Sequence, residues 1–176
     1  MSDTHPGFIY DRKIDPLPEY PDGAAIRGYG ELMFLMMREA AYRDAPLWRV
    51  RAAVQPAVDL GQYQVFRIDG VARSAVTWAF LGEAEQRTLL DRDRLEPAAW
   101  HSGPNLWVKS ILAPYAQRSG AMVMNWLRQA VPPGIDTVRW LRLAPGGGVA
   151  RVMEAQRLPN GRWGTHTRPS SDFSTA

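Results

Sequence analysis

The sequence predicts an α+β domain: a central, mostly antiparallel sheet flanked by helices. Three observations carry this. Leu32, Leu35, Met36 and Glu39 recur at helical spacing, whereas residues 62–68 alternate polar and apolar. Asp69-Gly70 separates two strand-like runs, the strongest short hairpin signal a sequence offers. Ala45-Pro46 and Pro132-Pro133-Gly134 then punctuate segments rich in helix formers.

The elements follow in order. Residues 1–24 carry Pro6, Gly7, Pro16, Pro18, Pro21 and Gly23, which argues for an extended or disordered arm. Residues 25–158 form the domain. Its first helix is expected over 28–43, rich in good helix formers and stopped at Ala45-Pro46. A short helix or irregular segment follows over 47–58. Strands are expected at 62–68 and 71–80, then a charged stretch with a short helix or loop around Glu83–Leu90. A third strand is expected at 105–113, ended by Pro114. Residues 119–131 read as a helix with Ser119 as N-cap. Strands at 136–143 and 149–157 close the domain, joined by a turn at Gly146-Gly147-Gly148. Residues 159–176 read as a polar tail with Trp163 as an anchor.

Composition narrows the classes of function. A chain of 176 residues, 45% apolar and 22% charged, fits one ordinary globular domain. No apolar run of 18 residues exists, so no membrane span is expected. The N-terminal residues hold acids and prolines without an apolar core, unlike a secretory signal, so a cytoplasmic location is the default. With no cysteine, disulfides, thiol catalysis and Cys-ligated zinc are excluded. The net charge of +3 is modest, and its arginines are scattered rather than blocked, so nucleic acid is not an expected partner. The histidines His5, His101 and His166 show no metal-ligand spacing, so neither metal nor bound cofactor is expected.

The motifs lie in an ordered series. It runs Tyr29-Gly30, Tyr42-Arg43-Asp44-Ala45-Pro46, Val54-Gln55-Pro56-Ala57-Val58, Gln62-Tyr63 and Thr77-Trp78-Ala79. It continues through Trp100-His101-Ser102-Gly103, Trp107, Ile111-Leu112-Ala113-Pro114-Tyr115 and Trp126-Leu127-Arg128. Over about residues 29–154 this series resembles the RTX toxin-activating lysine acyltransferases, small enzymes that fatty-acylate lysines of pore-forming protoxins. The resemblance implies a GNAT-like acyltransferase fold. It further implies acyl carrier protein as acyl donor, an RTX-type protein as substrate, and a homodimer.

Two positions depart from the family pattern. Where the family keeps a His, twelve residues after the glycine, this chain has Tyr42; where the family keeps an Asp, three residues after the tryptophan, it has Ser110. Moving an acyl group from a thioester to a lysine needs a base for the amine, donors for the oxyanion, and positioning. A tyrosine, with an ordinary pKa near 10, stays protonated at neutral pH and is no substitute base. It can donate to an oxyanion or to the leaving thiolate, and Ser110 can hydrogen-bond it. The residues therefore leave two readings open: a working Tyr42/Ser110 site, or a protein that has lost catalysis and kept a surface for the RTX protein or the carrier. His101 is a third catalytic candidate, a relocated base, against the plainer reading of a loop histidine bonded to backbone. A small-amine N-acetyltransferase using coenzyme A would need residues 144–149 as a phosphate cradle, but these lead into a strand rather than a helix N-terminus. The apolar stretch Leu32–Met37 is a core helix or a methionine-rich wall for an acyl chain. Trp78, Trp100 and Trp107 are most simply core anchors.

Overall fold

The structure, a computed structural model, describes residues 21–92, 95–115, 119–143 and 149–173. Helix α1 spans Gly23–Met36, α2 Leu47–Asp59, α3 Glu83–Arg92 and α4 Ser119–Ala130. Strands β1 Tyr63–Ile68, β2 Val71–Leu81, β3 Asn105–Leu112, β4 Thr137–Leu143, β5 Val149–Arg157 and β6 Trp163–Arg168 form one sheet in sequence order. Every neighbouring pair is antiparallel except β3 and β4, which are parallel and joined through α4. The α+β architecture with a mostly antiparallel sheet is thus as the sequence implies.

Packing divides by sheet face. On one side Val123 and Leu127 of α4 bury against Val76, Trp78, Phe80, Leu106, Val108 and Val138. On the other, α1 and α2 bring Leu32, Leu35, Met36, Val54 and Val58 onto Val65, Ala75 and Leu112. Farther along that second face Ala57 and Leu89 cover Ala79, Leu81 and Trp107. Strand β2 sits centrally and is buried on both faces over Ser74–Leu81. That explains its mostly apolar sequence, in which Ser74 and Thr77 are buried as well. The apolar stripe of α1 is core, although Met37 just beyond it is 69% exposed.

The β1–β2 turn follows from the dipeptide: Asp69 and Gly70 adopt φ of 52° and 76°, the two positive values that the tight hairpin turn requires. A Cβ on Gly28 of α1 would lie 2.3 Å from the Tyr63 hydroxyl, so only glycine lets that ring pass the helix. Tyr29 donates to Asp59, tying α1 to α2. Burial, and then that carboxylate, push the Tyr29 phenol well above its ordinary value.

Three expectations need correction. The first helix begins at Gly23, five residues earlier than expected, because Asp22 caps it by accepting from the Ala25 amide at 2.7 Å. It also ends early, at Met36; Glu39 is extended (φ −78°, ψ 132°), and a separate 3-10 turn follows at Ala40–Tyr42. The C-terminal tail is not a tail over 163–168 but the sixth strand, paired with β5 from Val152↔Arg168 to Arg157↔Trp163. Its polar residues face water at the sheet edge, which hid the strand from a hydropathy reading. Residues 1–20, the glycines at 146–148 and the Ser119 side chain lie outside what is described.

Candidate active site

The two expected partners, 68 residues apart in sequence, meet. The Tyr42 hydroxyl lies 3.3 Å from Ser110 Oγ, longer than the usual 2.7–2.8 Å between hydroxyls. Tyr42 closes the 3-10 turn, its N–H donating to the Glu39 carbonyl at 3.0 Å, and its ring packs on the α1/α2 cluster. Ser110 reaches it through an irregularity in β3. Thr77 pairs with Ser110 but Trp78 pairs with Val108, so Lys109 is an extra residue. Val108 faces the α4 cluster, whereas Ser110 and Leu112 turn to the α1 side. Uninterrupted alternation would have set Ser110 on the same face as Val108. The bulge re-aims it.

Alongside runs a second tie between the same two segments. The Ala113 amide donates to Glu39 Oε1 at 2.6 Å. Beyond it, Tyr115 stacks on Phe34 with centroids 6.3 Å apart. The Arg38 guanidinium lies 4.6 Å from the Phe34 ring centroid, and that of Arg73 lies 5.5 Å from Tyr115. The seam therefore carries two hydroxyls, a carboxylate and a cationic, aromatic rim.

The sheet opens beside it. Parallel pairing of β3 and β4 stops at Val108↔Trp140, though β3 runs on to Leu112 and β4 to Leu143. On the α4 side, Val108, Ile111, Met124, Leu127, Trp140 and Trp163 are among the residues lining an apolar groove. Its cavity volume is about 50 Å³.

His101 is elsewhere. It bridges to Phe80, three residues along β2 from the partner of Ser110, roughly 10 Å by strand rise. Its Nδ1 lies 2.9 Å from the buried Gln62 amide. With that amide turned so that its oxygen accepts from Nδ1, its nitrogen donates to the Trp78 and Trp100 carbonyls, and both ends of the Gln62 amide are satisfied. Ser102 continues the same corner, donating to the Ala99 carbonyl and accepting from the Gly82 amide. A Cβ on Gly103 would meet the Gly82 backbone at 2.6 Å. Trp100 is 2% exposed, Trp107 fully buried and Trp78 4% exposed, all core anchors.

His166 pairs with Glu154 at 3.0 Å, where Arg139 also binds at 2.7 Å. Burial alone would raise the Glu154 carboxyl, but the Arg139 hydrogen bond and the charges of Arg139 and Arg168 hold it below the ordinary range. No group of three or more metal-ligating side chains is found among the described residues, and no described helix is long and apolar enough to cross a membrane.

Sequence reasoning missed two residues of the seam. Glu39 was visible only as one more position of a helical stripe, and nothing in the sequence signals the bulge at Lys109.

Known proteins are similar to this chain. A solved GNAT-like decarboxylase, GphF in complex with isobutyryl-CoA, superposes with a TM-score of 0.48 at 18% identity, covering 68% of this chain and 63% of that one. The protein-lysine palmitoyltransferase CyaC of Bordetella bronchiseptica is 27% identical over 126 residues, 71% of this chain and 67% of its own. The RTX-I toxin-activating lysine-acyltransferase ApxIC of Actinobacillus pleuropneumoniae is 28% identical, covering 71% of each chain. Residues 24–156, which hold both sides of the seam, match the RTX toxin acyltransferase family over well more than half the chain; the protein belongs to that family.

Proposed function

We propose that this protein transfers a fatty acyl group from the thioester of acyl carrier protein to a lysine ε-amine of an RTX-type protein. The observation that carries the reading is the meeting of Tyr42 and Ser110 beside the gap between β3 and β4, inside the segment matched by the family. A thioester carbonyl at that gap would receive a hydrogen bond from the Tyr42 hydroxyl as negative charge develops on its oxygen. Ser110 would hold the phenol in place. The acyl chain would lie in the apolar groove on the α4 side, where burial stabilises it by roughly 0.8 kcal/mol per methylene. Arg38 and Arg73, at the rim, would face the acidic surface of the carrier.

A second reading has one observation in its favour. The only histidine in the family-matched segment, His101, is committed to Gln62 and Phe80, away from the seam. A protein with no base would bind the RTX protein or the carrier without turning over. Intact mass of an RTX-protein fragment, incubated with acylated carrier and this protein, separates the two. A gain of one acyl group per modified lysine supports the transferase; co-purification without mass gain supports the binder.

A further inference from the structure

We infer that Glu39 is the proton acceptor of this site, supplying the base that neither Tyr42 nor Ser110 can. The inference rests on the transferase reading above and adds a residue to it.

The geometry begins with two parallel ties. Tyr42 reaches Ser110, and three residues earlier Glu39 reaches Ala113, three residues later. The carboxylate and the hydroxyls therefore lie in one seam between the same two segments. Ala113 stands roughly 10 Å beyond Ser110 by strand rise. A base and an oxyanion donor should not touch each other; between them must fit an amine nitrogen and a carbonyl, each about 3 Å from its partner. The anchoring residues Ser110 and Ala113, three apart along the chain, leave room for such a pair between them. Glu39, two residues past the C-cap of α1, adopts an extended backbone, and its side chain reaches the Ala113 amide just beyond β3. Only one of its oxygens is engaged: no hydrogen bond or ion pair to Oε2 occurs among the described residues. The side chain is half-buried, where a carboxylate attracts an ammonium more strongly than in open water.

The step balances as follows. The lysine ammonium gives one proton to the Glu39 carboxylate, which returns it to solvent. The freed amine attacks the thioester carbon, and Tyr42 donates a hydrogen bond to the resulting oxyanion. The carbon–sulfur bond then breaks, and the Tyr42 hydroxyl protonates the departing thiolate. The remaining surplus proton on the new amide nitrogen passes to the Tyr42 phenolate. One amide, one carrier thiol and one released proton result.

Glu39→Gln keeps an oxygen for the Ala113 amide and removes the charge, so it separates catalysis from support. With acylated carrier protein and an RTX-protein fragment, Glu39→Gln should lose about 100-fold in kcat. KM for both substrates and the melting temperature should stay unchanged. In Glu39→Ala, added formate should restore part of the rate. Glu39→Gln turning over within threefold of wild type would overturn the role of Glu39 and leave the transferase reading standing. A wild-type protein that transfers no acyl group would overturn both.

Discussion

Two polar constellations sit against strand β2, and they are built differently. The corner at Gln62, Trp100, His101 and Ser102 is closed. Gln62 and His101 bond each other, Ser102 bonds backbone groups, Gly103 touches backbone, and Trp100 is buried with its indole N–H unpartnered among the described residues. The seam at Glu39, Tyr42, Ser110 and Ala113 is open. Its hydroxyl contact is long, its carboxylate has an oxygen to spare, and it borders a gap in the sheet. The corner holds the more conspicuous motif and the histidine, yet it does the work of a joint. The proposed chemistry belongs to the open seam, not to the place where motif residues are densest.

The comparison breaks most visibly if the corner proves dispensable. Trp100→Ala should cost about 3–5 kcal/mol in urea unfolding, the range for deleting a buried aromatic. A cost below about 1 kcal/mol would mean the corner is not a joint. At the seam the effect should fall on rate instead. Tyr42→Phe should lower acyl transfer about 10- to 100-fold while the urea midpoint moves by less than the equivalent of about 1 kcal/mol. Ser110→Ala, which only positions the phenol, should cost less than tenfold. His101→Ala sharpens the contrast: it should destabilise by about 1–2 kcal/mol, leaving the Gln62 amide short of a partner, with turnover near wild type.

The smallest effect concerns pH and lies outside both regions. Glu154 has a folded-state value below its ordinary 4.5, so folding is favoured by its ionised form. That contribution is complete above the ordinary value and is lost as pH falls through the lower folded one. The stability difference between wild type and Glu154→Gln should therefore be constant near neutrality and shrink below about pH 4.5. A difference that stays flat down to pH 3 would mean Arg139 does not hold the carboxylate in its charged form.

Much of the fold was legible because local signals agreed with tertiary structure. Asp69-Gly70 marked one hairpin, and residues 71–80 read as its second strand, whose burial on both faces only the structure shows. What was missed has physical causes. Strand β6 is polar because it lies at an edge, although Asn160-Gly161, with Gly161 at φ 77°, carried a turn signal that could have found it. The extended backbone at Glu39, just past the end of α1, goes with a bond to Ala113, 74 residues away, which no window of sequence contains. The pairing of Tyr42 with Ser110 was foreseeable from family spacing alone. The bulge that makes it possible was not, since an extra residue in β3 shows only in its register with β2.

The proposed chemistry resides in the seam and not in the corner. Its most direct test is intact mass of an RTX-protein fragment after reaction with acylated carrier protein and, in parallel, wild type, Tyr42→Phe and His101→Ala. The account predicts one acyl mass increment per modified lysine with wild type and His101→Ala, and slow or no increment with Tyr42→Phe. Loss of the increment in a folded His101→Ala, with Tyr42→Phe unaffected, would contradict it.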